Sequence, residues 1–594
     1  MRCSCFLIFL FIIGSLQSQE DFLAKQYFND GEFDKAVIYY EKLVQKTPRR
    51  TDYSEGLVAC YQQLERYDDA EVFLLDKIKQ PFAFPTFFIE LGYNYTLKQQ
   101  PEKAEEFYQK AINKIEENPN FGYAIGYRFQ KYALLDQAIS AYTKAMALKP
   151  ELNYDFQLAR IYGEKGEIEK MYQSYLRLIY EGKTSRANVL RNLDDFITQD
   201  PSNENNSKLR KTLLLNAQRN PDILWNELLS WLFIQQHQYK YAFSQERAIY
   251  KRTGESSLDR LSNLGAIALE NNDKETAIQA FEFIVDNAEQ ALTKLKGQLS
   301  LIEIDLSGAK GKRLDAIEKR YKSLLEEYGY DSKTLQLQIA YANFLTFKRE
   351  DPEPAITMLK RSLKEPLGRF GKAYIKLALG DILVFSQRFN EALIYFTQVQ
   401  KSLKNDVLGQ EARFKVAQTS FYKGDFDWAL TQLKVLRAST SQLIANDAMQ
   451  LSLLISDNSL EDSTQTALKK YAKADLLAYQ NKDEQAILVL SEILENHKGE
   501  KIEDEALLRQ GALYEKDEAF SKAQLNYQKI VEFYGQDILA DDAHFALGQL
   551  YENQLADDEK AKYHYEKIIY NHQDSYYFPL ARKNFRRLRG DILN

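Results

Sequence analysis

The sequence predicts an all-α protein built from stacked pairs of antiparallel helices. Among its 594 residues only 25 are glycine and 12 are proline, whereas 45% are hydrophobic. That composition favours helices over turn-rich sheets or disorder. A sequence motif also recurs. The segment DKAVIYYEKLVQKTP at 34–48 is similar to EKAEEFYQKAI at 102–112 and to DQAISAYTKAMALKP at 136–150. Repetition at a fixed spacing is typical of a solenoid, in which no helix pair can bury its apolar face alone.

The repeat is 34 residues long at the start of the chain, because its alanine stands at residues 36, 70, 104 and 138. Around Ala104, a small residue lies twelve positions earlier (Gly92), and aromatic residues lie nine earlier (Tyr95) and four later (Tyr108). Such spacing predicts that Gly92 and Ala104 lie where two helices cross most closely, with the aromatic rings filling the space between pairs.

This pattern resembles the tetratricopeptide repeat (TPR), in which L-G-x2-Y, A-x3-F and then Pro are spread over 34 residues. Leu91, Gly92, Tyr95, Ala104 and Tyr108 match it, and the leading Trp is missing. The resemblance implies a right-handed superhelical solenoid of about 14 helix pairs. The residues aligned with Ala104, called marker residues below, are Ala36, Ala70, Ala104, Ala138, Met171, Ala242, Ala277, Ala316, Ala355, Ala392, Ala429, Ala486, Ala523 and Ala561.

The turns within the pairs carry their own signals. Gly31, Gly166 and Gly424 stand just past a first helix and are predicted to end it in the left-handed region. Asp34 and Asp136 stand at the start of a second helix, where an acid caps the helix or complements its positive end.

Irregular spacing predicts the domain organisation. Two polar stretches, QDPSNENNSK (199–208) and SDNSLEDSTQ (456–465), interrupt the array and are predicted loops and hinges, the second beside one extra helix. The closing helix at 578–591 is similar to the ends of the TolA-binding coordinator and of an outer-membrane assembly lipoprotein. The predicted segments are a signal peptide (1–18), an N-terminal array (19–185), an eroded helix pair (186–221), a middle array with longer units (222–440) and a C-terminal array with the closing helix (441–594).

The first residues, MRCSCFLIFLFIIGSLQSQ, have the charge, short apolar run and small residues of a secretory signal peptide. Cleavage would leave Cys60 as the remaining cysteine, so no internal disulfide could form. Both observations predict an exported, periplasmic protein, either soluble or peripherally bound to an envelope complex. The alternative is an uncleaved N-terminus that tethers the protein to a membrane.

We expect no catalytic, cofactor-binding or metal-binding residues. The five histidines and Cys60 show no zinc-ligand spacing, and SGAKGKR (307–313) lacks the first glycine and the hydroxyl of a phosphate loop. The net charge of −7 and the absence of a basic block argue against nucleic acid as a partner.

The expected partners are therefore other proteins, envelope proteins among them, and not a small-molecule substrate. The TPR resemblance implies that they bind a concave surface lined by the first helix of each pair. Carried onto this chain, it gives a candidate peptide-binding groove that forms an aromatic, largely uncharged strip: Ile89, Tyr93, Tyr123, Tyr127, Phe156 and Arg160. The predicted function is a non-catalytic interaction scaffold of the cell envelope. The alternative is an accessory helical subunit of a cell-wall or outer-membrane assembly machine, held by the uncleaved N-terminus.

Overall fold

A computed structural model of the chain describes residues 19–80, 83–436, 442–459 and 465–591, and most of these residues are helical. No β-strand occurs within those ranges. The predicted all-α array of helix pairs is confirmed. The predicted signal peptide lies outside the described residues.

The chain divides into two compact units, Met1–Arg252 and Thr253–Asn594. The predicted segment boundaries at 185, 221 and 440 stay predictions. In each unit consecutive helices are joined by short turns and pack against each other in pairs. The helices of the first unit are α1 (19–29), α2 (Phe33–Lys46), α3 (Thr51–Gln63), α4 (Tyr67–Lys79), α5 (Thr86–Leu97), α6 (Pro101–Glu117), α7 (Gly122–Lys131), α8 (Leu135–Leu148), α9 (Asp155–Glu164), α10 (Ile168–Tyr180), α11 (Arg186–Leu193), α12 (Glu204–Arg219), α13 (Ile223–Gln235) and α14 (Tyr239–Thr253).

The second unit continues the same arrangement. Its helices are α15 (Leu258–Glu270), α16 (Lys274–Asn287), α17 (Ala291–Leu306), α18 (Lys312–Tyr328), α19 (Leu335–Phe347), α20 (Pro352–Ser362), α21 (Arg369–Phe385), α22 (Phe389–Ser402), α23 (Val407–Lys423), α24 (Phe426–Leu436), α25 (Gln442–Ser459), α26 (Thr466–Tyr479), α27 (Asp483–Asn496), α28 (Ile502–Lys516), α29 (Phe520–Phe533), α30 (Ala540–Asn553), α31 (Asp558–Asn571) and α32 (Phe578–Arg589). The predicted extra helix is α25, and the predicted closing helix is α32.

Both predicted polar loops are shorter than expected. Residues 204–208 belong to α12, because the Asn203 side chain accepts hydrogen bonds from the backbone N–H groups of Asn205 and Asn206 and starts the helix there. Residues 456–459 form the last turn of α25, and 460–464 lie outside the described residues.

One residue in each marker-bearing pair has a positive φ, and it lies five residues before the marker residue. The predicted left-handed conformation is confirmed for Gly31, Gly166 and Gly424, with φ of 77°, 72° and 86°. Gly311 occupies the same place with φ of 52°. The other pairs have a non-glycine residue there: Glu65, Gln99, Ala133, His237, Asn272, Glu350, Gln387, Asn481, Glu518 and Ala556. The turn geometry is therefore fixed by the packing of the pair and overrides the local preference of the residue.

The small residues of the repeat make room for aromatic rings. A Cβ atom on Gly92 would lie 2.5 Å from the ring of Tyr108, and a Cβ atom on Gly126 would lie 2.5 Å from the ring of Tyr142. Tyr108 and Tyr142 are buried, as are the marker residues Ala104 and Ala138. The predicted close helix crossing is confirmed.

Of the two roles predicted for Asp34 and Asp136, the structure shows the second, complementing the positive end of the helix, and not capping. No side chain caps α2 or α8, and both aspartates lie in the first turn of their helix. There the carboxylate complements the positive end of the helix, and Asp136 also pairs with Lys165.

Candidate functional site

Four of the six predicted groove residues line one concavity. Tyr123 and Tyr127 project from α7, and Phe156 and Arg160 project from α9, around a volume of about 390 Å³. The two helices are the first helices of neighbouring pairs, which is where the repeat pattern placed these residues. The remaining lining residues are Gln130, Lys131, Gln157 and Glu164.

The two tyrosines of the concavity are exposed, in contrast to the tyrosines that fill the space beside the repeat glycines. Tyr123 is 50% exposed and Tyr127 is 57% exposed, whereas the repeat tyrosines Tyr108 and Tyr142 are at most 3% exposed. The rings of Tyr123 and Tyr127 are nearly parallel, with centroids 6.1 Å apart, so they form one aromatic surface. Exposed aromatic residues grouped in this way are typical of protein-binding surfaces.

The concavity also carries charge, contrary to the largely uncharged strip that we expected. Lys131, Arg160 and Glu164 are all exposed and lie on its rim. Among the residues that the structure describes, none of the three forms an ion pair, although Lys131 lies 6.0 Å from the ring of Tyr132. Two cations and one carboxylate therefore remain available to a ligand.

The prediction that Ile89 lines the groove is wrong. Ile89 is 0% exposed and belongs to the hydrophobic core of the first unit. Tyr93, one helical turn later, is partly buried because its ring stacks on that of Tyr132, with centroids 3.9 Å apart. Neither residue lines the concavity, because packing between α5 and its neighbours uses this face of the helix.

A buried ion network lies behind the tyrosine stack. Arg128 Nη1 donates to Glu90 Oε1 at 2.5 Å, and Tyr132 Oη donates to Glu90 Oε2 at 2.6 Å. Arg128 also pairs with Glu55, so the network joins α3, α5 and α7. Burial raises the pKa of Glu90, and the Arg128 guanidinium opposes that shift. Burial alone would lower the pKa of Arg128, but the carboxylates of Glu90 and Glu55 raise it above its ordinary value, so its charge is retained.

The other reactive residues behave as packing residues. Burial raises the pKa of Cys60 to about 12, so its thiol stays protonated. SGAKGKR contains the turn between α17 and α18, with positive φ at Gly308 and Gly311. Nowhere in the described ranges do three or more His, Cys, Asp or Glu residues form a group suited to a metal ion. Within the same ranges, every helix is too short or too polar to cross a bilayer.

One histidine contact was not anticipated from the sequence. His544 and His564 are buried, and their Nδ1 atoms are 3.0 Å apart. Burial lowers the pKa of His564 to about 4; burial and the charge of His564 together lower that of His544 to about 3. This pair joins α30 to α31.

Two segments of the chain match family models of the tetratricopeptide repeat. Residues 86–113 cover α5 and most of α6, and residues 542–575 cover most of α30 and all of α31. The chain carries tetratricopeptide repeats. The first matched segment contains Gly92 and Ala104, and the second contains Gly548 and Ala561, so both lie on the glycine–aromatic packing described above.

A relative and two solved structures are similar to this chain. The TPR repeat-containing protein MJ1428 of Methanocaldococcus jannaschii is 28% identical over 179 residues, which are 29% of this chain and 31% of that protein. The chain thus spans less than a third of the relative's length. Naa15/Naa10 bound to HypK-THB is matched at 12% identity over 97% of this chain and 96% of that chain, with a TM-score of 0.28. The Cut9–Hcn1 hetero-tetramer of APC/C is matched at 13% identity over 89% and 95%, with a TM-score of 0.26.

Proposed function

We propose that this protein is an interaction scaffold that binds a segment of a partner protein in the concavity formed by Tyr123, Tyr127, Phe156 and Arg160. Tetratricopeptide repeats generally mediate contacts with other proteins, and stacked helix pairs provide an extended surface for them. The observation that carries the proposal is that two exposed tyrosines, Tyr123 and Tyr127, meet Phe156 and Arg160 around one concavity.

The chemistry of the concavity defines the segment that would fit. Three aromatic rings offer contacts to apolar side chains, and Arg160 and Lys131 stand beside them without an ion-pair partner among the described residues. Two cations against one carboxylate favour a segment that carries an acidic residue next to its apolar ones. A guanidinium adjoining aromatic anchors is a common composition for the centre of a binding surface.

Site-specific photocrosslinking tests the proposal. A benzophenone amino acid placed at Tyr127 in the full chain should form a crosslinked adduct with a protein of the native host. The same group placed at Trp428, which is 53% exposed, should not yield that adduct. The adduct should be lost when Tyr123→Ala, Phe156→Ala and Arg160→Ala are combined with the probe.

A matched triple variant provides the control. Tyr374→Ala, Trp428→Ala and Phe533→Ala remove three exposed aromatic residues, 50%, 53% and 69% exposed, that lie outside the concavity. These substitutions should leave the adduct intact. An adduct that survives the Tyr123, Phe156 and Arg160 substitutions, or that the control also abolishes, would remove the basis for this binding site.

The cellular setting of the scaffold is part of the proposal. We propose that it is exported and works in the cell envelope, because residues 1–18 have the composition of a signal peptide and a single cysteine follows them. The mass of the mature N-terminus tests this. A chain that starts near residue 19 and is recovered from the periplasm would support export, and a chain that retains Met1 in a membrane fraction would favour the tethered accessory subunit. A chain that retains Met1 in the cytoplasm would contradict both.

A further inference from the structure

The second unit contains a larger cavity than the tyrosine concavity, with a different character. Its volume is about 1030 Å³, which is at the upper end of the ~300–1,000 Å³ typical of small-molecule sites. Its walls come from α23, α25, α26, α28 and α30 and from the turns before α30 and α32. Helix α25, the extra helix that interrupts the repeat, forms one complete wall. The cavity therefore exists because the array departs from regular pairing at this point.

Apolar side chains line much of this cavity and are open to solvent. Met449, Ile538 and Tyr576 line it and are 48%, 58% and 70% exposed. They belong to α25 and to the two turns, so they face the cavity from different sides. Apolar side chains that line a concave site can bury the apolar surface of a ligand.

The charged groups of the cavity are almost all acidic. Eight Asp and Glu side chains line it, no Lys or Arg side chain does, and His572 is its one other group that can carry a positive charge. Of the eight, Asp475 is balanced by Arg509, with 2.6 Å between Oδ1 and Nη2. The other seven form no ion pair with any residue that the structure describes.

Two partly buried carboxyl groups of the cavity, those of Asp542 and Glu505, have raised pKa values. Burial, and then the neighbouring Asp541 carboxylate, raise the pKa of Asp542 to about 6. Burial and the hydrogen bond with Asp504 also raise the pKa of Glu505, and Glu505 Oε2 is buried without a hydrogen-bond partner. A cationic group entering the cavity would relieve this repulsion and supply the missing donor.

We propose that this cavity, called the acidic cavity below, binds a basic amphipathic segment of another protein. Such a segment would place apolar side chains on Met449 and Ile538 and Lys or Arg side chains against the unpaired carboxylates. A single metal ion does not fit the same observations, because the described carboxylates form no group with metal-ligand geometry. The inference does not depend on the tyrosine concavity, which lies in the other unit and favours an acidic segment.

The experiment uses the full-length protein and a fluorescent amphipathic helical peptide of about 15 residues, made of Leu and Lys with the leucines on one face. Binding is followed by fluorescence anisotropy. The test variant combines Asp447→Asn, Asp537→Asn and Asp574→Asn, which neutralise three exposed carboxylates on three sides of the cavity. None of the three forms an ion pair within the described residues, so the fold should be unaffected. We expect binding to weaken about tenfold and to depend less steeply on salt.

The matched control removes the same charge elsewhere in the second unit. Glu484→Gln, Asp517→Asn and Asp558→Asn neutralise three exposed acids outside the cavity that also have no ion pair among the described residues. The affinity of this variant for the peptide should be within twofold of that of the original chain. The affinity of the Tyr123→Ala/Tyr127→Ala variant should be as well, because the tyrosine concavity of the proposed function is not part of this site.

Three results would overturn the inference. The control could weaken binding as much as the cavity variant, so that net charge alone attracts the peptide. A peptide with Glu in place of Lys could bind equally well, so that the contact is merely apolar. Calcium or magnesium at millimolar concentration could bind in the cavity while the basic peptide does not. Any of these outcomes would exclude the acidic cavity as a specific binding site for a basic segment.

Discussion

Removing the Arg128 side chain should destabilise α5 and α7 more than other single charge removals in the first unit. The Glu90 side chain is 1% exposed and that of Arg128 is 11% exposed, and their charged atoms are 2.5 Å apart. Two unit charges about 4 Å apart attract by about 4 kcal/mol at an effective dielectric constant of about 20. Loss of one partner of a buried pair costs about 3–5 kcal/mol. We therefore expect Arg128→Met to lower the local free energy of unfolding by about 3–5 kcal/mol.

Hydrogen exchange of the full-length protein, read by mass spectrometry on peptides from α5 and α7, measures this loss. Arg191→Met, at an exposed arginine on α11, is the control and should change exchange little. Adding Glu90→Gln to the Arg128→Met chain should recover part of the protection, because an amide is far cheaper to bury than an unpaired carboxylate.

The pH dependence gives a second check on the same variant. Burial already raises the pKa of Glu90 above its ordinary 4.5, and loss of Arg128 should raise it further. A carboxyl with a raised folded pKa binds a proton that the unfolded chain has released, so its unfavourable effect grows as the pH rises through the folded pKa. The deficit of Arg128→Met should therefore shrink as the pH falls toward 4.5. A loss below about 1 kcal/mol, or one that does not change with pH, would show that Glu90 is not the buried charge we take it to be.

Three further predictions concern packing and protonation. Ala133→Gly should stabilise the α7–α8 turn by about 0.5–1 kcal/mol, because φ is 55° there, and Gly166→Ala should show the opposite sign in the same hydrogen-exchange measurement. Gly126→Ala should cost about 1–3 kcal/mol, because its Cβ would meet the Tyr142 ring at 2.5 Å, whereas Gly368→Ala, with nothing within 4 Å, should cost little; comparable protection losses in the two would contradict the packing argument. Acid should loosen α30 and α31. Burial keeps the imidazoles of His544 and His564 neutral in the fold, so the free energy of unfolding falls as the pH drops below their ordinary pKa of 6.5, by about 2 kcal/mol per imidazole at pH 5. Hydrogen-exchange protection that falls no more steeply in α30 and α31 than in the other helices would show that the pair is not buried in the folded protein.

Local features of the fold could be predicted because they depend on residues close in sequence. The turn of each pair is closed within about five residues of the marker residue, so Gly31, Gly166 and Gly424 revealed it directly. Where Ala133 replaces glycine, the local signal is lost, but the 34-residue period still located the turn. The polar character of 204–208 led to the wrong prediction of a loop. An Asn cap followed by polar residues is as typical of a helix start as of a loop.

The candidate site could be predicted only in part. Tyr123, Tyr127, Phe156 and Arg160 line the concavity from α7 and α9, as their positions in the repeat predicted. Ile89 shares that position by sequence count, yet the helices on either side of α5 bury it. The i, i+4 spacing of a helix would have placed Lys131 and Glu164 in the predicted groove, because they follow Tyr127 and Arg160 by four residues and share their helix faces.

Charge arrangements between helix pairs could not be predicted from the sequence, and they are where this chain differs from a generic array. Arg128 and Glu90 are 38 residues apart, and the carboxylates of the acidic cavity extend from Asp447 to Asp574. In the sequence, each of these charged residues is indistinguishable from one on a solvent-exposed helix face. Folding desolvates some and leaves others without a counter-ion, and both outcomes depend on which helices become neighbours. The repeat therefore determines how the chain folds, whereas the contacts between repeats determine what it can bind, and substitutions that preserve the glycine–aromatic packing should alter binding without altering the fold.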